Sequence, residues 1–279
     1  NAYANVRQPI VSTLNLAHMM PVSAVWAGQE RNAHLDGPPL IVTRTDGATP
    51  FRLVTHIGDV GNTLVVGPIG MGKSVLLATM AMQFRRYRGS RIFAFDMGRS
   101  IRAAILGMGG EHYDLGADDE IAFQPLARID REGYRTWASE WVEGRLLHEG
   151  AAVGPDEKAA IWSALGSLAS APVEQRTLTG LTALLQSNTL RQALAPYVLG
   201  GAHGRLLDAD HDRLGTSDVQ AFEMEELMHS KAAVLAVLRY LFARFEERLD
   251  GAPTLLILDE AWLFLDDPVF AARIRQWLK

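Results

Sequence analysis

Short apolar runs alternate with amphipathic segments in two parts of the chain, residues 38–116 and 205–279. The apolar runs are typical of strands, and the segments between them have the apolar spacing of helices. The predicted strands lie at residues 40–43, 51–55, 62–66, 91–95, around 113, 219–224 and 254–258. The predicted helices lie at residues 73–87, 99–106 and 230–248. Strands that alternate with helices in this order indicate a mostly parallel sheet with helices on both faces.

The segment between these two parts, residues 117–204, has a different pattern. Nothing in it predicts a strand, and apolar residues recur at helical spacing at 134–148, 156–169, 178–186 and 190–198. Thr177 and Asn188 are placed to act as N-caps. We therefore expect an α/β fold in which residues 38–116 and 205–279 form the core and residues 117–204 form an all-helical inserted subdomain. Residues 1–37 are interpreted as a linker or packing arm from a preceding domain.

A glycine-rich motif follows the predicted strand at 62–66 and fits the pattern G-x-x-x-x-G-K-[ST]. With the residue after it, the motif consists of Gly67, Pro68, Ile69, Gly70, Met71, Gly72, Lys73, Ser74 and Val75. Glycines let backbone N–H groups curl around phosphate oxygens, and the start of the following helix attracts the same anion. Lys73 would contact the β- and γ-phosphates of ATP, and Ser74 would bind Mg²⁺. The motif therefore predicts an ATP-binding loop, the Walker A motif.

A second motif ends the last predicted strand, where the apolar run Thr254–Leu258 is followed by Asp259 and Glu260. A buried strand that ends in two acids is the Walker B pattern. Asp259 would hold Mg²⁺ through water, and Glu260 would polarise the attacking water. Lys73 and Glu260 are thus the candidate catalytic residues of a magnesium-dependent ATPase. Ser74 and Asp259 are the candidate metal ligands.

Other polar residues near the predicted strand ends allow two interpretations each. Asp96 would either contact metal-bound waters or cap the next helix. Gln124 would contact the nucleotide base or belong to a strand-to-helix turn, and the turn is favoured. Three glutamates at and just beyond the end of the strand at 219–224 predict an exposed face, with contact to another subunit as the alternative: Glu223, Glu225 and Glu226. The histidines, His112 among them, show no spacing typical of metal ligands.

Composition and charge limit the kinds of partner and site that the chain could have. The 279 residues include 32 acidic and 27 basic side chains, for a net charge of -5, which gives no support to a surface that coats nucleic acid. A local basic patch, and with it contact with nucleic acid, stays open. The sequence contains no cysteine, which excludes disulfides and thiolate metal sites, and no apolar stretch is long enough to span a bilayer. Because the chain starts at Asn1 and stops at Lys279 within an apparent helix, we interpret it as a piece of a longer protein.

With both motifs in place, the chain resembles the TrbE ATPases of conjugative type IV secretion, in the VirB/TrbE group of the FtsK–HerA superfamily. The resemblance runs along essentially the whole chain and is carried, besides the Walker A motif, by residues 15–21, 26–28, 95–100, 123–126, 222–227 and 258–265. It implies a RecA-like motor domain with a helical subdomain inserted before the Walker B strand. It also places Lys73, Ser74, Asp259 and Glu260 at the functional positions of the family.

The resemblance further implies how such a protein would act. We expect ATP hydrolysis that powers assembly of the apparatus or substrate transfer, in oligomers that are often hexameric. The protein would be cytoplasmic and associated with the inner membrane through other secretion components. Asn62, Met71 and Met97 depart from the residues usual in the family. A DNA-pumping translocase of the same superfamily and a non-hydrolysing nucleotide-binding scaffold are the alternatives.

Overall fold

In a computed structural model of the protein, the described residues are 11–20, 25–118, 120–260, 271–272 and 274–275. The chain divides into two compact units, Asn1–Gly61 and Asn62–Lys279. The first unit contains a short helix and an antiparallel two-stranded sheet: α1 (Thr13–Met19), β1 (Ile41–Thr43) and β2 (Phe51–Leu53). Both predicted strands of this unit are thereby confirmed, each shorter than expected.

The second unit contains the remaining elements. Its helices are α2 (Lys73–Phe84), α3 (Arg102–Gly107), α4 (Glu132–His148), α5 (Pro155–Leu168), α6 (Leu178–Leu184), α7 (Asn188–Leu194), α8 (Gly204–Leu207) and α9 (Lys231–Glu246). Its strands are β3 (Arg91–Asp96), β4 (Glu111–Asp114), β5 (Val219–Glu223) and β6 (Thr254–Leu258). Five helices, α4 to α8, lie between β4 and β5 in the described chain. The boundaries of the inserted subdomain itself stay a prediction.

The four strands of the second unit form one sheet in the order β4-β5-β3-β6. All three pairings are parallel, with Asp96 opposite Glu223 and Phe95 opposite Leu258. This confirms the predicted parallel sheet. Because parallel strands all end at the same edge, the residues that close them are brought together although they are far apart in sequence.

The two faces of the sheet differ in chemistry because side chains alternate along a strand. One face carries Phe93, Phe95 and Phe222, which pack against Phe245 of α9, with the rings of Phe93 and Phe245 stacked at 4.4 Å. The opposite face carries the acids that end β3 and β5 and contacts α3. Aromatic packing therefore fixes α9 on one face and leaves the other face to the polar site.

The predicted strand at 62–66 is wrong: these residues form no strand, and Leu64 is 84% exposed. An apolar run becomes a strand only where its backbone pairs with a neighbour, and the sheet of the described residues ends at β6. The same position at the edge explains why β6 is mostly half-buried, with only Ile257 buried, although its apolar sequence predicts burial on both faces.

One of the two predicted helix caps is confirmed, and the other lies one residue earlier than predicted. Thr177 is confirmed as an N-cap, since its side chain accepts a hydrogen bond from the backbone N–H of Gly180. The cap of α7 is Ser187 and not Asn188, because Ser187 has the extended backbone of a cap and accepts from Leu190 N. Trp141 of α4 is fully buried, whereas Trp162 of α5 is 40% exposed.

Candidate functional site

An acidic residue stands at the carboxyl end of every strand in the four-stranded sheet. In sheet order these residues are Asp114, Glu223, Asp96 and Asp259, of which Asp259 directly follows β6. Ligands of open α/β sheets bind outside this edge. The predicted ATP-binding loop leads into α2, which contacts β6, so the candidate site is built where β6 and α2 meet.

The loop before α2 has the backbone that the glycine motif requires. Gly70 and Gly72 both have a φ of 80°, a left-handed conformation that glycine adopts without strain. Helix α2 begins at Lys73, and Gly72 at its N-cap position offers no side chain to bind the first helical N–H groups. Those N–H groups point toward an incoming anion and add the positive end of the helix dipole. The local structure is therefore suited to bind phosphate.

The ammonium group of Lys73 lies over the loop. Its Nζ donates to the carbonyl oxygens of Gly67 at 2.9 Å and Pro68 at 3.1 Å. These contacts hold the positive charge above the loop backbone, where the phosphates of a nucleotide would lie. The charge and the N–H groups of the α2 N-terminus are thus concentrated in one place.

The two predicted metal ligands are neighbours. Ser74 Oγ donates to Asp259 Oδ2 across 3.4 Å, and Asp259 is fixed in turn because its backbone N–H donates to Phe95 O at 2.9 Å. Mg²⁺ binds hard oxygen ligands at about 2.1 Å in octahedral geometry, so adjacent ligands lie roughly 3 Å apart. The Ser74 hydroxyl could therefore bind a magnesium ion directly, with the neighbouring Asp259 carboxylate close enough to hold a water of the same ion.

Glu260 follows at an exposed position with an unusual backbone. Its φ of 55° is in the left-handed region, which is uncommon for a residue with a side chain and is often found at functional sites. The backbone N–H of Glu260 donates to Asp259 Oδ1 at 3.2 Å. The remainder of the motif that carries the family resemblance, residues 261–265, lies outside the described residues.

Asp96 holds the turn that follows β3 and does not cap the next helix as one interpretation predicted, because the N-cap position of α3 is Ile101 and has no side-chain hydrogen bond. Its carboxylate accepts from Ser100 Oγ at 2.6 Å and from the backbone N–H of Ile101 at 2.9 Å. Asp96 also lines a shallow cleft together with Ser74 and Asp259. Contact between Asp96 and metal-bound water stays a prediction.

Gln124 is buried inside the helical region. Its Nε2 donates to the backbone carbonyls of Val173 and Arg176, and Tyr134 Oη donates to the carbonyl of Pro125 at 3.0 Å. These contacts give the amide of Gln124 structural partners, and the described segment around it follows no strand directly and leads through turns into α4.

The prediction that Glu223 belongs to an exposed face is wrong, although Glu225 and Glu226 are exposed. Glu223 is fully buried and accepts hydrogen bonds from the backbone N–H groups of Gly98, Arg99 and Glu225.

Nothing along the chain indicated that His112 would lie near Asp96 and Glu223, with one ligand atom from each within 4.8 Å of the others. A single sequence does not give the register between distant strands. That register places all three side chains on the same side of the sheet.

Comparisons with known proteins were made at the level of sequence and of structure. No family model matches the chain. The chain is 42% identical over 288 residues to a probable TrbE conjugal transfer protein of Sinorhizobium fredii, covering 100% of the chain and 43% of that protein. It is 43% identical over 289 residues to the conjugal transfer protein TrbE of Rhizobium radiobacter, covering 100% of the chain and 35% of that protein. The chain thus spans well under half the length of these relatives.

More distant similarities point to the same group. The chain is 26% identical over 279 residues to the type IV secretion system protein virB4 of Bartonella quintana, covering 98% of the chain and 35% of that protein. Its structure is similar to that of VirB4 of Thermoanaerobacter pseudethanolicus, with a TM-score of 0.54 at 20% identity, covering 76% of this chain and 66% of that one. This likeness supports the expected RecA-like α/β fold. In the described part of the chain, helices are too short or too polar to cross a bilayer.

Proposed function

Since this chain belongs to the TrbE-type group of conjugal transfer proteins, to which it is 42% and 43% identical along its whole length, we propose that it binds and hydrolyses ATP to power conjugative type IV secretion. One observation carries the proposal: Ser74, which comes directly after a loop suited to phosphate, lies beside Asp259 at the end of β6. The relatives are named for conjugal transfer and type IV secretion, and the motor role extends those names.

Each residue of the site has its own role in the proposed reaction. The N–H groups at the start of α2 bind the phosphates of ATP, and Lys73 exchanges its contacts with Gly67 and Pro68 for the β- and γ-phosphate oxygens. Ser74 and Asp259 hold Mg²⁺, which neutralises phosphate charge when bound. Glu260 orients the attacking water and accepts its proton.

The relatives' names, conjugal transfer and type IV secretion, support other secretion components as partners. We place the protein on the cytoplasmic side of the inner membrane, in a homo-oligomer that contacts other secretion components. Nothing in the net charge of -5 favours a nucleic acid partner. Assembly or substrate transfer is therefore preferred over DNA pumping as the use of the hydrolysis energy.

The test is steady-state phosphate release by the full-length protein, with and without DNA. We expect magnesium-dependent turnover that Ser74→Ala abolishes and that Ser167→Ala, a change on the exposed side of α5, leaves intact. Binding of ATP without turnover would support a scaffold and overturn the motor. Turnover that rises severalfold with DNA would support a DNA pump.

A further inference from the structure

A second polar cluster lies beside the candidate ATP site, on the same edge of the sheet. Asp96 ends β3 and Glu223 ends β5, and the two residues are register partners. His112 on β4 is opposite Ala221, two residues before Glu223, so its side chain faces the same side. One ligand atom from each of the three residues lies within 4.8 Å of the other two.

Hydrogen bonds hold the two carboxylates in place. Asp96 accepts two bonds, from Ser100 and Ile101, and Glu223 accepts three backbone N–H groups. Two carboxylate oxygens offer about four acceptor positions, so both groups keep lone pairs for another ligand. Both side chains are buried, which makes rotation into water costly.

His112 differs from its neighbours because its Nε2 is buried and, among the described residues, has no hydrogen-bond partner. A buried polar atom without a partner is rare and calls for an explanation. Burial lowers the pKa of His112, and the charge of Arg102 lowers it further, against the opposing charges of Asp114, Asp96 and Glu223. A neutral imidazole has a lone pair that can bind a metal ion.

We propose that Asp96, His112 and Glu223 bind a divalent transition-metal ion of the zinc or manganese type, at a site separate from Ser74 and Asp259. Two carboxylates and one imidazole balance the ion's charge and supply the nitrogen that Mg²⁺ does not prefer. Ligand atoms around tetrahedral zinc lie roughly 3.4 Å apart, so small side-chain rotations close the site.

Such an ion would join the ends of β3 and β5 to the neighbouring strand β4. Asp96 would then belong to both the proposed metal site and the candidate ATP site, because it also lines the cleft next to Ser74 and Asp259. The ion would therefore position the turn after β3 beside the nucleotide. This role is independent of whether ATP is hydrolysed.

Cobalt is a suitable probe because Co²⁺ held by four protein and water ligands absorbs visible light far more strongly than hydrated Co²⁺. We would titrate the full-length protein with Co²⁺ in excess Mg²⁺, which keeps the oxygen ligands at Ser74 and Asp259 occupied. The expected result is one equivalent of Co²⁺ with visible absorption that Zn²⁺ displaces. His112→Gln and Glu223→Gln should each weaken binding at least tenfold. Asp259→Asn, and His148→Ala on the exposed end of α4, should bind as the wild type does.

A second measurement guards against variants that fail to fold. After treatment with a chelator, added Zn²⁺ should raise the Tm of the wild type, since a ligand stabilises the state that binds it, and should leave that of His112→Gln unchanged. The proposal is overturned if the wild type shows no absorption and no shift of Tm. It is also overturned if Asp259→Asn abolishes binding while His112→Gln retains it.

Discussion

Ser74 Oγ donates to Asp259 Oδ2 at 3.4 Å although 185 positions separate the two residues in sequence. The contact joins the first turn of α2 to the residue that follows β6. Asp259 is held from the other side by its backbone bond to Phe95 of β3. The pair of oxygens thus depends on the parallel pairing of β3 with β6, and any change that shifts this register would separate them.

Lys73→Ala should weaken ATP binding roughly tenfold to a hundredfold, because hydrogen bonds to charged groups contribute about 1.5–3 kcal/mol. The measurement is a titration with a fluorescent ATP analogue in the presence of Mg²⁺. Lys158→Ala on α5, which removes a lysine that pairs with Glu143 at 3.2 Å, is the matched control. Affinities of the wild type and Lys73→Ala that agree within twofold would contradict the assignment of the loop.

Glu260→Gln should retain nucleotide binding and reduce turnover by about 10²–10⁴-fold, since glutamine has nearly the same shape but cannot accept the proton of the attacking water. Binding and phosphate release are measured on the same preparation. Glu226→Gln, at another exposed glutamate, should leave both unchanged. If Glu260→Gln turns over at the rate of the wild type, Asp96 becomes the next candidate for orienting the water.

Asp96 should make stability depend on pH in a chelator-treated sample. Burial raises the pKa of its carboxyl above the ordinary 3.8, and the charges of Glu223 and Asp259 raise it further, although hydrogen bonds from Ser100 and Ile101 oppose the shift. The folded state therefore binds the proton more tightly than the unfolded state. Its stabilising effect is complete below pH 3.8 and is lost as the pH rises through the folded pKa.

The corresponding measurement is the free energy of unfolding in urea at a series of pH values. The difference between the wild type and Asp96→Asn should fall as the pH rises above the ordinary carboxyl pKa. Asp46→Asn, at an exposed position, should show no such trend. A difference that grows with pH would mean that the hydrogen bonds outweigh burial.

Trp141→Phe should destabilise the protein by about 1–3 kcal/mol, because it removes a buried hydrogen bond and leaves a cavity where the larger indole ring packed. The indole Nε1 of Trp141 donates to Ala236 O of α9 at 3.0 Å. Trp162→Phe is the matched control, and with a side chain that is 40% exposed it should change stability by less than about 0.5 kcal/mol. The free energy of unfolding in urea is measured for both variants. Equal losses of stability would contradict the role of this hydrogen bond.

Features that depend on local chemistry were the most predictable from sequence. The glycine spacing before Lys73 corresponds to the two left-handed residues, Gly70 and Gly72. The apolar run of β6 has the predicted bounds, Thr254–Leu258. Both features follow from adjacent residues, so a single sequence contains the information needed to place them.

Burial and contacts that depend on pairing between distant strands were not predictable from the sequence. Glu223 appeared exposed because Glu225 and Glu226 follow it, yet the register of β5 between β3 and β4 buries it. His112 and Glu223 are brought together across the helices α4 to α8, and no spacing along the chain indicates such a contact. The apolar run at 62–66 likewise lacks the neighbour that would make it a strand.

Helix α9 contacts both the sheet and the helices that precede it. Phe245 stacks on Phe93 of the sheet, while Ala236 accepts the hydrogen bond from Trp141 of α4. One continuous apolar core consequently extends from β3 to α7. The helical region and the sheet should therefore melt in a single cooperative transition, and the helices would not survive as a detachable module. A loosened α9 would unfold both regions at once.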